Sequence, residues 1–184
     1  GCAARLDRSP RRRRGPARLA RALRGLGLPP GGRVGIWSHN NAEWLLLQLA
    51  TAKVGLVLVN INPAYRTAEV EYALNKAGCK ALVTMARFKT SDYAGMLESL
   101  VPELSTAAPG RLECLAFPEL RLLVQLGAQP RRGTLSFDDL IAAAHDVAQS
   151  LLVAIKQQQE PYRIFNIPSP DGPTGSPTGR PPAP

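Results

Sequence analysis

The sequence predicts an α/β fold: a mostly parallel sheet with helices on both faces. Three observations carry this. Residues Arg33–Lys80 read as two strand–helix units in succession. The strand segments Arg33–Trp37 and Leu56–Val59 are apolar without clean alternation, the mark of strands buried on both faces. The helical segments between them close on glycines, Gly55 and Gly78. Alternating strand and helix at this spacing implies right-handed crossovers between parallel strands.

The elements follow in order. Residues 1–16 are rich in Arg and Pro and carry no apolar period, so they read as a disordered or misread basic arm. From Ala17 to Leu26, Leu19, Ala20, Leu23 and Leu26 recur at helical spacing. Gly27–Gly32, with Pro29 and Pro30, ends that helix. After the Arg33–Trp37 strand, Ser38–Asn41 is a polar turn, and Asn40 or Asn41 caps a helix carrying Trp44, Leu45, Leu47 and Ala52. The Leu45–Leu49 cluster is expected to be core. Leu56–Val59 is the second strand, and Asn60-Ile61-Asn62-Pro63 is a turn. Thr67 opens a third helix, with Glu71 at approximate capping-box spacing. Ala81–Thr84 is the third strand and Ser91–Leu100 a fourth helix, stopped by Pro102. Residues 102–119 read as loop and Leu120–Leu126 as strand. Ser136 caps a helix running to Ala144 or beyond, with Asp138 and Asp139 near its positive end. That gives the acidic pair a structural purpose, because adjacent helical residues do not face each other. Residues 161–184 hold eight of the 17 prolines and read as a Pro-rich tail.

Composition narrows function. The 184 residues suit one domain or part of a larger one, and 45% hydrophobic content is ordinary for a globular chain. No run reaches the roughly 18 apolar residues of a membrane span. The net charge of +9 points to nucleic acid at first sight. Residues 1–24, however, hold nine Arg against the single acid Asp7, so the rest is nearly neutral. The Arg11–Arg14 run has no interleaved aromatics for base stacking, so no specific nucleic-acid role is expected. Cys2, Cys79 and Cys114 are odd in number and far apart, which argues against a disulfide framework or a zinc site and for a reducing compartment. The expected location is cytoplasmic. The Arg-rich, acid-poor start also resembles a mitochondrial transit peptide, which makes the mitochondrial matrix the alternative, although Pro10 and Pro16 break a continuous amphipathic helix there.

Isolated titratable residues carry little. His39 follows the first strand, at the edge where open α/β sheets bind ligands, yet a lone His in a polar turn is an ordinary turn residue. His145 beside Asp146 at a helix end needs only electrostatics.

The ordered series over residues 17–145 resembles the N-terminal part of AMP-forming acyl-CoA synthetases, members of the adenylating superfamily, and most of all the medium-chain fatty acyl-CoA synthetases. It includes the Arg33–Trp37 strand, Asn41, Trp44, Gly55, the NINPAY turn Asn60–Tyr65, Glu69 and Gly78-Cys79-Lys80. The resemblance implies an incomplete N-terminal part of the large adenylate-forming domain, occupying residues 17–160. It implies a parent enzyme that joins a fatty acid to CoA through an acyl-adenylate, using ATP and Mg and releasing AMP and pyrophosphate.

The family's phosphate loop resembles TSGTTGxPKG, and residues 170–179 carry a degraded likeness of it. Gly172, Thr174, Gly175, Ser176, Pro177 and Gly179 match in register, and Gly172, Thr174, Gly175, Ser176 and Gly179 are the candidate nucleotide-binding residues. Glycines and small hydroxyls suit such a loop because backbone N–H groups then approach phosphate closely. Three departures work against binding: Asp171 adds negative charge, Pro173 removes a backbone donor, and Thr178 stands where the family has Lys. The alternative is an unrelated Pro-rich tail. Asn166-Ile167 matches the family's approach strand, while Pro168 and Pro170 oppose strand pairing.

No catalytic residue carries over, so the chain alone is expected to be inactive. The competing readings are a non-catalytic basic interaction fragment and a degraded gene product. The Pro/Arg/Gly/Ala bias near residues 1–15 and 168–184 is what a shifted frame in GC-rich DNA produces. Resequencing that returns one continuous frame refutes that origin.

Overall fold

The computed structural model describes residues 10–127, 129–142 and 164–166. Its elements are α1 (Pro10–Gly25), β1 (Arg33–Trp37), α2 (Ala42–Lys53), β2 (Val57–Ile61), α3 (Thr67–Ala77), β3 (Cys79–Met85), α4 (Tyr93–Leu100), β4 (Leu122–Leu126), β5 (Leu135–Ser136), α5 (Phe137–Ala142) and β6 (Ile164–Asn166). The strands form one sheet in the order β5-β4-β3-β1-β2-β6, and every pairing is parallel.

Side chains alternate across this sheet into two cores. Val34, Ile36, Leu58, Val83 and Val124 face one layer, packed by Leu19 and Leu23 of α1, Leu47 and Ala50 of α2, and Leu140 of α5. Trp37, Val59, Ile61, Leu82 and Leu123 face the other, packed by Val70 and Leu74 of α3 and Leu97 of α4. Both faces are therefore covered, and the near-continuous apolar strands follow from that. The chain steps from β1 to β2 over one face and returns from β2 to β3 over the other, which keeps both crossovers the same hand.

Several boundaries differ from the sequence reading. Helix α1 starts at Pro10 and runs through Pro16, so residues 10–16 are helical and not an irregular arm. Pro10 costs nothing at a first helical position, where the N–H has no partner. Pro16 forgoes one intrahelical bond, but its ring is buried and the downstream Leu19, Ala20 and Leu23 anchor the helix on the sheet. Asn60 and Ile61 belong to β2 rather than to a turn. Helix α3 is capped from Arg66: its backbone N–H donates to Glu69 Oε2 at 2.9 Å, so Glu69 fills the role expected of Glu71. Residues 102–105 form a 3₁₀ turn inside the expected loop, and its Leu104 is buried. Leu45 and Leu49 are exposed, at 44% and 46%, because they lie opposite Leu47 on α2 and only Leu47 reaches the sheet. Finally, Ile164–Asn166 pairs with Leu58–Asn60 as edge strand β6, within the segment read as tail. A three-residue edge strand leaves little sequence signal.

Candidate functional site

The sheet's winding reverses at β1, whose neighbours β2 and β3 lead off in opposite directions. In open α/β sheets ligands bind at the carboxyl ends of the strands, where the strand order reverses. At this point β1 ends in Trp37-Ser38-His39, β3 in Met85-Ala86-Arg87-Phe88, β2 in the Asn62–Arg66 loop, and β6 at Asn166.

Local sequence explains how each rim residue is held. Asn41 caps α2 by accepting from the Trp44 N–H at 2.7 Å, and its amide donates to Ser38 Oγ at 2.9 Å. The turn and the helix start are thereby one unit. His39 stacks on Phe88 with ring centroids 4.0 Å apart, and its Nδ1 lies 3.3 Å from Met85 Sδ. This places the sequence-predicted His39 on the rim, held by a ring contact that a structural turn residue also satisfies.

Phe88 and Ser91 exchange two backbone hydrogen bonds at 3.0 Å, which turns the chain into α4. Asp92 caps α4 by accepting from the Gly95 N–H at 3.1 Å, and it pairs with Arg87 at 3.0 Å. The Gly95 bond first, then Arg87, holds the Asp92 carboxyl below its ordinary range. Arg66 reaches across from the β2 loop to donate to Ser91 Oγ at 3.2 Å. Beneath this rim Trp37 meets Tyr93 edge-on at 4.6 Å, and the Tyr93 hydroxyl donates to the Pro63 carbonyl at 2.9 Å.

At the end of β4 the buried Gln125 braces the next loop. Its amide donates to the Gln129 carbonyl at 2.8 Å and its oxygen accepts from the Arg131 N–H at 3.2 Å. Arg131 Nη1 also donates to both Glu98 oxygens, at 2.8 and 3.0 Å. Gln125 and Glu98 escaped sequence reasoning. A lone glutamine in an apolar strand was the one available signal, since a buried amide needs partners.

The remaining sequence candidates separate clearly. Gly172, Thr174, Gly175, Ser176 and Gly179 lie outside the described residues, as do His145 and Asp146. Ser136 caps α5 through the Asp139 N–H at 2.9 Å, so Asp138 and Asp139 sit at a helix start as expected. Cys79 and Cys114 are buried free thiols. Burial pushes Cys79 up to about 12, against the pull of Arg33, and burial likewise raises Cys114, so neither is a nucleophile at neutral pH.

Among the described residues, no group of His, Cys, Asp and Glu is arranged to hold a metal. The polar side chains Ser38, Asn41, Asp92 and Gln125 are all engaged with the protein itself. Among the described residues, these side chains shape and stiffen the sheet edge. No described helix is long and apolar enough to cross a membrane.

Comparison with known proteins places this architecture. The model of the AMP-binding enzyme family matches residues 16–132. The chain is 42% identical, over 164 residues, to a mitochondrial medium-chain acyl-CoA ligase, ACSF2, of Macaca fascicularis, covering 88% of this chain and 26% of that protein. It is 34% identical to a putative acyl-CoA synthetase, YngI, of Bacillus subtilis, over 87% of this chain and 29% of that protein. Among solved structures, an acetoacetyl-CoA synthetase from Streptomyces lividans superposes with a TM-score of 0.59 at 26% identity, over 75% of this chain and 20% of that one. An anthranilate CoA ligase, AuaEII, in complex with anthranoyl-AMP gives 0.58 at 26% identity, over 75% and 24%. The chain thus spans about a quarter of the length of the curated relatives it matches. With its family model matched over most of the chain and its parallel sheet matched in adenylate-forming ligases, this chain belongs to the AMP-binding enzyme family.

Proposed function

We propose that this chain is the N-terminal scaffold of an AMP-forming medium-chain fatty acyl-CoA synthetase. The parent protein joins a fatty acid to CoA with Mg-ATP, through an acyl-adenylate. The observation that carries the reading is the 42% identity to a medium-chain acyl-CoA ligase across nearly all of this chain. The parallel pairing of β6 with β2 supports it, because β6 ends at Asn166 on the carboxyl edge of the sheet, and the sequence likeness of the phosphate loop begins at residue 170.

On this reading the chain's own contribution is positional. The β1–β3 switch point and the capped starts of α2 and α4 form a rigid wall, and adenylation and thiol transfer are carried by the remainder of the longer protein. Asp171, Pro173 and Thr178 weaken the candidate cradle of Gly172, Thr174, Gly175, Ser176 and Gly179, so the isolated chain neither binds ATP normally nor turns over. The mitochondrial description of the relatives favours the mitochondrial matrix over the cytoplasm.

Pyrophosphate release with octanoate, Mg-ATP and CoA tests both parts. The 184-residue chain is expected to give only the blank rate. A full-length gene product whose transcript carries a Lys-bearing loop in place of residues 170–179 is expected to make octanoyl-CoA. Turnover by the short chain overturns its assignment as scaffold, and a full transcript that stops at Pro184 leaves the enzyme reading as ancestry alone.

A further inference from the structure

We propose a second ligand site, at the amino edge of the sheet: a cleft built to take a small oxyanion, a phosphate or a carboxylate group. It lies at the opposite ends of β1 and β3 from the switch-point rim, one strand length away. Five residues at about 3.3 Å each put the two edges roughly 16 Å apart.

The cleft is open, about 390 Å³ in volume, and lined by Pro29, Pro30, Gly31, Gly32, Arg33, Gly78, Lys80 and Glu119. That is near the lower end of the size range of small-molecule sites. Its walls are proline rings and glycine backbone, and its charged groups are two cations and one anion. Lys80 is held by Glu119 at 2.8 Å. Arg33 is different. Its guanidinium lies against Gly78, where a Cβ would come within 3.7 Å of Nη1, and no carboxylate pairs with it among the described residues.

A guanidinium is a planar fork of donors and matches an oxyanion two bonds at a time. Arg33 is exposed in this open, Gly-lined cleft with Lys80 as a second cation nearby, so its donors face water and are free to exchange it for an oxyanion. The same positive charge acts on the buried thiol of Cys79 just beneath, which Arg33 pulls downward. Glu119 orients Lys80 but also repels an incoming anion and competes for Lys80. The ligand therefore seats on Arg33 first, with Lys80 as its flank. The nine arginines of residues 1–24 attract anions without specificity, so only a readout localised to the cleft is decisive.

Amide shifts of Gly31, Gly32, Gly78 and Lys80 in the whole chain, titrated with inorganic phosphate and separately with acetate at constant ionic strength, supply that readout. Saturable shifts at these four amides are expected. Tighter response to phosphate indicates a phosphorylated ligand, and tighter response to acetate a carboxylate. Arg33→Ala is expected to weaken binding at least about tenfold, the cost of a charge-assisted bond, with Arg33→Lys falling between. Glu119→Gln is expected to strengthen it about threefold, as loss of an exposed charge contact permits. Shifts that persist in Arg33→Ala, that fail to saturate with either anion, or that weaken in Glu119→Gln overturn the site.

Discussion

Replacing Gly133 by Ala tests whether the β4–β5 loop is as tightly seated as its geometry implies. Gly133 adopts φ 74°, a left-handed conformation that costs an L-residue about 1–2 kcal/mol. A Cβ there would also sit 2.6 Å from the Leu104 carbonyl oxygen and 3.1 Å from its Cα. Those are backbone atoms, so relief requires moving the 3₁₀ turn and not a side chain. Overpacking of that kind costs about 1–3 kcal/mol more. Gly27 is the internal control: its φ is 72°, and nothing lies within 4 Å of an added Cβ. Gly27→Ala therefore bears the backbone term alone.

Thermal unfolding followed by circular dichroism separates the two. At about 2–4 °C per kcal/mol for a chain of this size, Gly27→Ala is expected to lower Tm by about 2–8 °C. Gly133→Ala is expected to lower it by about 4–20 °C, with the larger drop in the same preparation. Equal shifts for both variants refute the close approach of Gly133 to Leu104.

Three further outcomes follow. Leu47→Ala, at a fully buried position, is expected to cost about 2–5 kcal/mol in urea unfolding, and Leu49→Ala, 46% exposed, under about 1 kcal/mol; similar costs would remove the orientation of α2. Asn41→Ala removes the α2 cap and strands Ser38, so a loss of about 0.5–2 kcal/mol is expected, with Asn41→Asp retaining most of it; an unchanged Ala variant would deny the cap its role. The Asp92 carboxyl, followed by NMR, is expected to titrate below its ordinary 3.8. Its contribution to stability is present above that value and is lost as pH falls through the folded pKa. Arg87→Ala should raise the pKa only partway, because the Gly95 N–H acts first; full recovery to the ordinary value would contradict that order.

Much of the frame is written into local residue pattern. The apolar, non-alternating strand at Arg33–Trp37 and the Leu74/Ala77/Gly78 ending of α3 require only burial on two faces and a helix stop. The Ser136 cap was legible for the same reason, since its partner lies three residues away. Residues whose role depends on distant partners were not legible. Nothing near Gln125 in sequence announces its grip on the 129–131 loop, and nothing near Arg131 announces Glu98. Leu45 and Leu47 are chemically identical, and only the rotation of α2 on the sheet decides which is core. By propensity Pro16 is a helix breaker, because propensity counts the lost bond and not the packing downstream that offsets it.

Fold class, most element positions and the family likeness are local properties of the chain, because period, caps and glycine stops act over a few residues. Tertiary structure alone decided the strand order β5-β4-β3-β1-β2-β6, and with it which loops share an edge. That order sets His39 beside Phe88, joins Ile164–Asn166 to β2 across more than 100 residues, and brings Arg33 and Lys80 into one cleft. Parallel pairing is a long-range choice, settled by which faces are left to bury once the helices have formed.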